Sequence, residues 1–268
     1  MRALLASPLG FLIGISLGAL GGGGSILAVP ALVYAAGQTP KHATTTSLVL
    51  VALTAMIGMV PHWRAGRVRV GPGLIFGLAG VGGSLLGSHW NKAADPNVLL
   101  ILFSGLMLVA AYGMWRRVRT AKCVTGAKSV GAAAASVAAP ALRVDPMTIL
   151  RVIVAGTLVG LLTGFFGVGG GFVVVPALVL ALGFSMPEAI GTSLLVITIN
   201  SMVALTTRLQ SGSIEWGTVV PFTIASLVGV VAGSRLAGTR DSSSLQRWFV
   251  GLLVVVAVYT AVRSGLAM

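Results

Sequence analysis

The chain is divided into long apolar segments that are separated by short polar or basic stretches. The segments cover about residues 8–36, 43–61, 72–90, 97–115, 147–182, 189–207, 217–236 and 245–263. An α-helix needs roughly 20 apolar residues to cross the hydrocarbon core of a bilayer. Most of the segments have about that length and predict single membrane-crossing helices, whereas the first and the fifth are clearly longer.

Both of the longer segments contain a cluster of glycines followed by a proline. The first reads GALGGGGSILAVP from Gly18 to Pro30, and the second reads GFFGVGGGFVVVP from Gly164 to Pro176. Glycine destabilises a helix by about 1 kcal/mol relative to alanine, and proline by about 3 kcal/mol. The clusters therefore predict helices that stop and restart. Because lipid cannot hydrogen-bond the freed backbone groups, each break must be buried in protein or line a cavity.

The two halves of the chain repeat one another at a constant offset of 146 residues. Between Gly21 and Gly37, 10 of the 17 positions are identical to their counterparts, and the Thr-Ser-Leu run at 46–48 returns at 192–194. Such a repeat without a gap indicates a duplicated unit. We predict an all-α integral membrane protein with two homologous four-segment repeats, residues 1–117 and 146–268. A linker at 118–145 joins them into one transmembrane domain.

Composition supports a membrane protein and changes how the basic charge is interpreted. The chain is 56% hydrophobic and 9% charged, with a mean hydropathy of +1.00, whereas soluble domains contain about 25% charged residues. The net charge of +13 would suggest nucleic acid in a soluble protein. Here the cations lie in short loops, where positive charge sets membrane orientation. Aromatic and basic residues do not alternate as they do in RNA-binding surfaces, so we expect no nucleic-acid partner.

Loop charge leaves two topologies open. Either all eight segments cross, or the long first segment of each half is a re-entrant hairpin and the two halves are inverted. Lysine and arginine divide 13 to 5 in both cases, with the central linker on the basic, cytoplasmic side. We favour inverted repeats, because a segment of about 29–36 residues with a central break fits a hairpin of two half-helices.

Enzyme chemistry is excluded by the residues that the sequence lacks. The acidic side chains lie at segment ends or in loops, at Asp95, Asp145, Glu188, Glu215 and Asp241. A relay of carboxylates within the membrane is therefore missing. The sequence contains no Walker A, HExxH or GxSxG motif, and its one cysteine lies in the linker. We expect no enzymatic activity, no cofactor and no metal site.

The remaining polar groups predict an anion site made of backbone amides, hydroxyls and one amide side chain. A half-helix that starts after a glycine break points N–H groups and the positive end of its dipole into the cavity. Alternatively, the glycines only let helices pack closely, the hydroxyls only cap helices, and the asparagine only bonds a neighbouring helix. The candidate substrate-binding residues are Gly22, Gly23, Gly24, Ser25, Thr46, Ser47, Gly169, Gly170, Gly171, Thr192, Ser193 and Asn200.

Basic residues end the second segment of both halves, two in the first half and one in the second. His62 and Arg64 lie in the stretch HWRAGRV, and Arg208 occupies the position of His62 in the second half, in RLQSGSI. One interpretation is an interfacial loop whose cations extend toward the lipid headgroups. The other makes these residues gating or anion-attracting groups.

The duplicated motifs resemble the TauE/SafE family of membrane proteins. They are GGGGSILAVPAL and GVGGGFVVVPAL, each followed by a TTSL or GTSL run and then by HWRAGRV or RLQSGSI. The resemblance covers both halves and excludes only the linker. It implies export of sulfur-containing anions, either sulfite or organosulfonates such as sulfoacetate. It also implies glycine-rich stretches at 21–24 and 167–171 and hydroxyl motifs at Thr46, Ser47, Thr192 and Ser193.

The resulting expectation is a secondary transporter of the bacterial cytoplasmic (inner) membrane that works by alternating access. An uncoupled anion channel or uniporter is the alternative, and a membrane scaffold is disfavoured because it gives no reason for two duplicated breaks. The expected partners are a small anion and the lipid bilayer. Protons and a second copy of the chain are left open as further partners.

Overall fold

The computed structural model describes the chain in several stretches. They are residues 2–22, 24–25, 28, 32, 40–91, 102, 104–116, 146–166, 171–208, 216–239 and 241–265.

Throughout these stretches the ordered secondary structure is helical. The first part of the chain forms α1 (Arg2–Leu20), α2 (Pro40–Arg64), α3 (Val70–Asn91) and α4 (104–116). The second part forms α5 (Pro146–Phe166), α6 (Gly171–Leu180), α7 (Met186–Arg208), α8 (Trp216–Thr239) and α9 (Ser242–Gly265).

Six stretches in these helices are long and apolar enough to cross a membrane. They are Thr46–Arg64, Val70–Gly87, Met147–Phe165, Met186–Thr206, Val220–Gly238 and Ser242–Tyr259. The prediction of an all-α integral membrane protein is therefore confirmed. The tryptophans fit the same arrangement, since Trp63, Trp90 and Trp248 are exposed close to helix ends, where aromatic residues meet the membrane interface.

The two longer apolar segments are each interrupted at their glycines. In the first, α1 ends at Leu20 and Gly21 has a φ of +70°, a conformation that glycine adopts without the steric cost that a Cβ would impose. In the second, α5 ends at Phe166 and α6 begins at Gly171. Since α6 has 10 residues, its length is about 15 Å, roughly half the hydrocarbon core.

The most extensive helix contacts join the two halves of the sequence. Helix α1 packs along α8, and α5 packs along α3. Glycines spaced four residues apart make this possible: the backbone of Ser226 leaves no room for a Cβ at Gly14, and the backbone of Gly80 leaves none at Gly160. Gly14 and Gly160 are equivalent in the repeat, so the same close contact is made twice. These glycines therefore serve close packing, since small residues let helices approach one another in membranes.

The sequence in which residues along two helices meet gives the relative directions of those helices. Successive glycines of α1 meet successive residues of α8, as Gly10 meets Phe222 and Gly18 meets Val230, so α1 and α8 run parallel. Helices α2 and α7 instead run antiparallel: Gly58 lies against Leu194, whereas Gly191 lies against His62. Because α2 and α7 are equivalent in the repeat, their directions favour inverted halves.

The proposed division into repeats 1–117 and 146–268 stays a prediction. Its linker, 118–145, and Cys123 lie outside the described residues.

Candidate functional site

The two glycine breaks meet in the interior. A Cβ built at Gly22 would overlap the carbonyl group of Gly171 and would lie 2.8 Å from the amide nitrogen of Phe172. Both glycines are buried, and Phe172 is 1% exposed. The end of α1 and the start of α6 therefore touch backbone to backbone, and the sequence brings them together only because neither position carries a side chain.

Ser25 completes this contact from the first half. Its side chain is 5% exposed, and its Oγ donates a 2.7 Å hydrogen bond to the carbonyl oxygen of Gly22. A Cβ at Gly171 would lie 2.5 Å from this Oγ. The hydroxyl thus lies at the N-terminus of α6, where the first amides of a helix have no partner within the helix.

Ser193 lies at the edge of the same region. A Cβ at Gly21 would approach its Oγ to 2.6 Å, and that Oγ donates to the carbonyl oxygen of Ile190 at 2.8 Å. Together, Gly22, Ser25, Gly171 and Ser193 form one buried group, which we call the glycine junction.

Thr192 belongs to a second contact between the halves. Its Oγ1 accepts a 3.1 Å hydrogen bond from the backbone N–H of Arg69, in the loop 65–69 between α2 and α3. The Arg69 guanidinium donates to Glu188 Oε1 at 3.0 Å from Nε and 2.6 Å from Nη2. This set of contacts, here called the latch, fastens the α2–α3 loop to the first turns of α7.

The start of α7 also caps itself. Both the backbone N–H and the hydroxyl of Ser185 donate to Glu188 Oε2, at 3.2 Å and 2.8 Å. A serine before a helix with a glutamate three residues later is the capping-box arrangement. Glu188 therefore serves the helix start and the latch together, a role that we did not infer from the sequence, although the pattern SMPE carried the signal.

His62 is buried beside the latch. Its side chain is 2% exposed, a Cβ at Gly191 would lie 3.1 Å from its Cβ, and Arg67 donates its backbone N–H to the His62 carbonyl oxygen at 3.0 Å. The ring lies near the backbone of Gly18 in α1, but among the described residues neither ring nitrogen has a partner in hydrogen-bond geometry. The interpretation of His62 as an interfacial side chain is thus wrong.

Four other predicted site residues lie on α2 and α7. Arg64 is exposed at the end of α2. Asn200 is half-buried on α7 facing Gly80 of α3, and within the described part of the chain its Oδ1 has no hydrogen-bond partner. Thr46 and Ser47 are buried near the start of α2.

The remaining predicted residues have little or no description. Gly24 is buried against Leu17 of α1, and Arg208 is the last residue of α7. Gly23, Gly169 and Gly170 lie outside the described residues.

Comparisons with known proteins identify the family. The family model for the sulfite exporter TauE/SafE matches residues 6–260. The chain belongs to the TauE/SafE family. It is 35% identical over 263 residues to a "Probable membrane transporter protein" of Xylella fastidiosa (strain 9a5c), covering 95% of this chain and 93% of that protein. No solved structure matches.

A more distant relative agrees with this assignment. The protein YunE of Bacillus subtilis (strain 168), also described as a probable membrane transporter, is 24% identical over 262 residues, which cover 95% of this chain and 92% of YunE. Members of the TauE/SafE family are membrane transporters and not enzymes. The family match therefore confirms the expectation that this protein is not an enzyme. The family match also confirms the resemblance that the duplicated motifs indicate.

Proposed function

We propose that this TauE/SafE protein is a secondary transporter that exports a small sulfur-containing anion across the bacterial cytoplasmic membrane by alternating access. The substrate is sulfite or an organosulfonate such as sulfoacetate. The family supplies the sulfur chemistry. The single observation that carries the proposal is the contact of Gly22 with Gly171, which joins a helix break of one half to a helix start of the other.

The chemistry of the glycine junction suits an oxyanion. Helix α6 begins at Gly171 and has 10 residues, enough for its N-terminal amides and dipole to favour a negative charge. The hydroxyl of Ser25 lies beside Gly171 and that of Ser193 beside Gly21, and a hydroxyl can rotate from a backbone carbonyl to a substrate oxygen. All these donors are neutral, so they bind an anion without burying a fixed charge.

The closeness of the junction supports alternating access over a static pore. At Gly22 the backbone of Gly171 leaves no room for even a methyl group. A solute can therefore bind there only after the two halves move apart. The latch holds the halves together at one end of this arrangement, which is the kind of contact that exchanges between open and closed states.

Helix directions support inverted halves, the architecture in which such an exchange is common. Besides the antiparallel α2 and α7, the end of α8 lies next to the α2–α3 loop: a Cβ at Gly238 would lie 4.0 Å from Arg67 Nη1. Inverted halves place these two elements on one side of the membrane. If instead all eight segments cross, the two elements lie on opposite sides.

The test is exchange across liposomes that contain the purified protein. Vesicles are loaded with unlabelled sulfoacetate, and the uptake of labelled sulfoacetate is measured with and without the internal pool. A carrier shows saturable uptake that the internal pool accelerates, and sulfite competes with it. Uptake that rises linearly with concentration and ignores the internal pool would instead indicate the uncoupled channel. Absence of any protein-dependent flux of either anion would overturn the proposal.

A further inference from the structure

The burial of the His62 imidazole requires an explanation. His62 is 2% exposed, and both ring nitrogens lack a partner in the described part of the chain. Buried polar groups are nearly always hydrogen-bonded in native proteins, because an unpaired one loses its water without compensation. The imidazole is therefore expected to gain a partner in another state of the molecule.

The surroundings of His62 connect it to the glycine junction. Its ring lies near the backbone of Gly18, one helical turn before Gly21 and Gly22, and its Cβ lies against Gly191, two residues before Ser193. One turn of helix spans about 5 Å. An anion at the junction would therefore be within a short distance of the imidazole once the halves separate.

The charged groups on the elements around His62 are mostly cations. The α2–α3 loop carries Arg67 and Arg69, of which Arg69 is paired with Glu188 of α7. Arg64 and Arg235, at the ends of α2 and α8, are exposed. From α1, the backbone of Gly18 lies near His62. With the single nearby carboxylate already engaged by Arg69, the described residues offer no free negative charge to a protonated imidazole.

We propose that His62 is the proton-carrying group of the transport cycle: it takes up a proton when the sulfur oxyanion binds beside it and releases that proton when the anion leaves. The inference rests on the proposed function of the glycine junction. A buried anion and a buried imidazolium are each costly alone, whereas together they compensate one another. Binding of one therefore favours binding of the other, and the coupling is reciprocal.

The sequence shows that this group is specific to one half. The position equivalent to His62 in the second half is Arg208, and an arginine cannot release its proton. Hence only the first half has a titratable group at this position. Proton and anion then move in the same direction, and the anion gradient drives both.

The experiment separates a proton on His62 from a proton on the substrate. Liposomes containing the full-length protein enclose a pH-sensitive dye, the membrane potential is clamped, and a gradient of ethanesulfonate is applied. The sulfonate of this probe stays ionised wherever the protein is folded, so any co-transported proton must ride on the protein. The wild type is expected to move about one proton per anion. In His62→Gln and His62→Arg this ratio is expected to fall to zero.

The matched control is His89→Gln, which changes an exposed histidine on α3 and should keep the wild-type ratio. An unchanged ratio in His62→Gln, or a wild type that moves ethanesulfonate without protons, overturns the inference while leaving the transport proposal intact. Absence of anion exchange overturns the transport proposal itself. If the variants do not fold, calorimetry of the wild type in two buffers of different ionisation enthalpy measures proton uptake on binding directly, and zero uptake refutes the assignment.

Discussion

Arg69 and Glu188 join the two halves of the protein through an ion pair of 2.6 Å between Nη2 and Oε1. The side chains are 27% and 26% exposed, so water screens the attraction in part. The pair nevertheless lies where the α2–α3 loop meets the start of α7, and Arg69 adds a backbone bond to Thr192 at the same place. The α2–α3 loop is therefore held against the start of α7 by both an ion pair and a backbone hydrogen bond.

Breaking this pair should produce a non-additive loss of stability. Arg69→Ala is expected to lower the free energy of unfolding by about 1 kcal/mol. Glu188→Ala should cost more, up to about 2 kcal/mol, because the Ser185 cap is lost with the ion pair. The double variant should be no less stable than Glu188→Ala alone, since the pair can be lost only once.

Thermal unfolding in detergent measures all three variants. Arg247→Ala provides the control, because among the described residues that exposed side chain on α9 bonds to groups of its own helix, at Ser243 and Ser244. A double variant whose loss equals the sum of the two single losses would show that the ion pair contributes nothing.

The contact between Gly22 and Gly171 leads to a second prediction. Gly22→Ala places a methyl group on the carbonyl of Gly171, so the junction must open or distort. We expect transport to be lost and unfolding to become easier by about 1–3 kcal/mol, as in other overpacked interiors. Labelled exchange and thermal unfolding are both measured.

Gly82→Ala is the control for this change. Gly82 lies within α3, and a Cβ there meets nothing within 4 Å. Alanine should therefore leave exchange unchanged and raise helix stability by up to about 1 kcal/mol. A Gly22→Ala protein that exchanges as fast as wild type would remove the junction from the transport site.

Hydrophobic pattern, glycine clusters and repeat were enough to predict much of the fold. The apolar segments matched the helices because length and hydropathy alone decide whether a helix can cross a bilayer. The interruption after Leu20 was predictable because a cluster of glycines strongly destabilises a helix. The pairing of helices was not predictable, since α1 packs along α8 through a glycine spacing that several helices share.

The candidate site was predicted only in part. Glycines that create a break can be identified locally, so the sequence singled out Gly22 and Gly171, which contact one another in the structure; their role in substrate binding stays a prediction. Burial of His62 was missed, because the sequence places it beside Trp63 and Arg64 at a helix end, and tertiary contacts with Gly191 decide its exposure. The Arg69–Glu188 pair joins residues 119 positions apart, and no local pattern specifies such a partner.

The duplicated packing leads to a third prediction. Gly14 and Gly160 occupy equivalent positions, and a Cβ at either would overlap backbone of the helix beside it. Gly14→Ala and Gly160→Ala should therefore lower stability by similar amounts, about 1–3 kcal/mol each. Gly251→Ala on α9, where a Cβ meets no described atom within 4 Å, should not lower stability and should raise it slightly, as at Gly82. Sensitivity at one position and tolerance at the other would show that the two contacts are not equivalent.

The helix directions give a final prediction about topology. Asp241 comes two residues after the end of α8. The end of α8 lies beside the α2–α3 loop, since a Cβ at Gly238 would lie 4.0 Å from Arg67 Nη1. Inverted halves therefore place Asp241 on the side of the central linker. Eight parallel crossings place it on the opposite side.

Single cysteines and a membrane-impermeant thiol reagent distinguish the two arrangements in vesicles of known orientation. Native Cys123 reports the linker side, and Asp241→Cys in a Cys123→Ser background reports the end of α8. Gly66→Cys in the same background is the control, because the α2–α3 loop and the linker share a side in both topologies. We expect all three cysteines to react from the same side. Labelling of Asp241→Cys from the opposite side would contradict inverted halves. It would also remove the support that inverted halves give to alternating access.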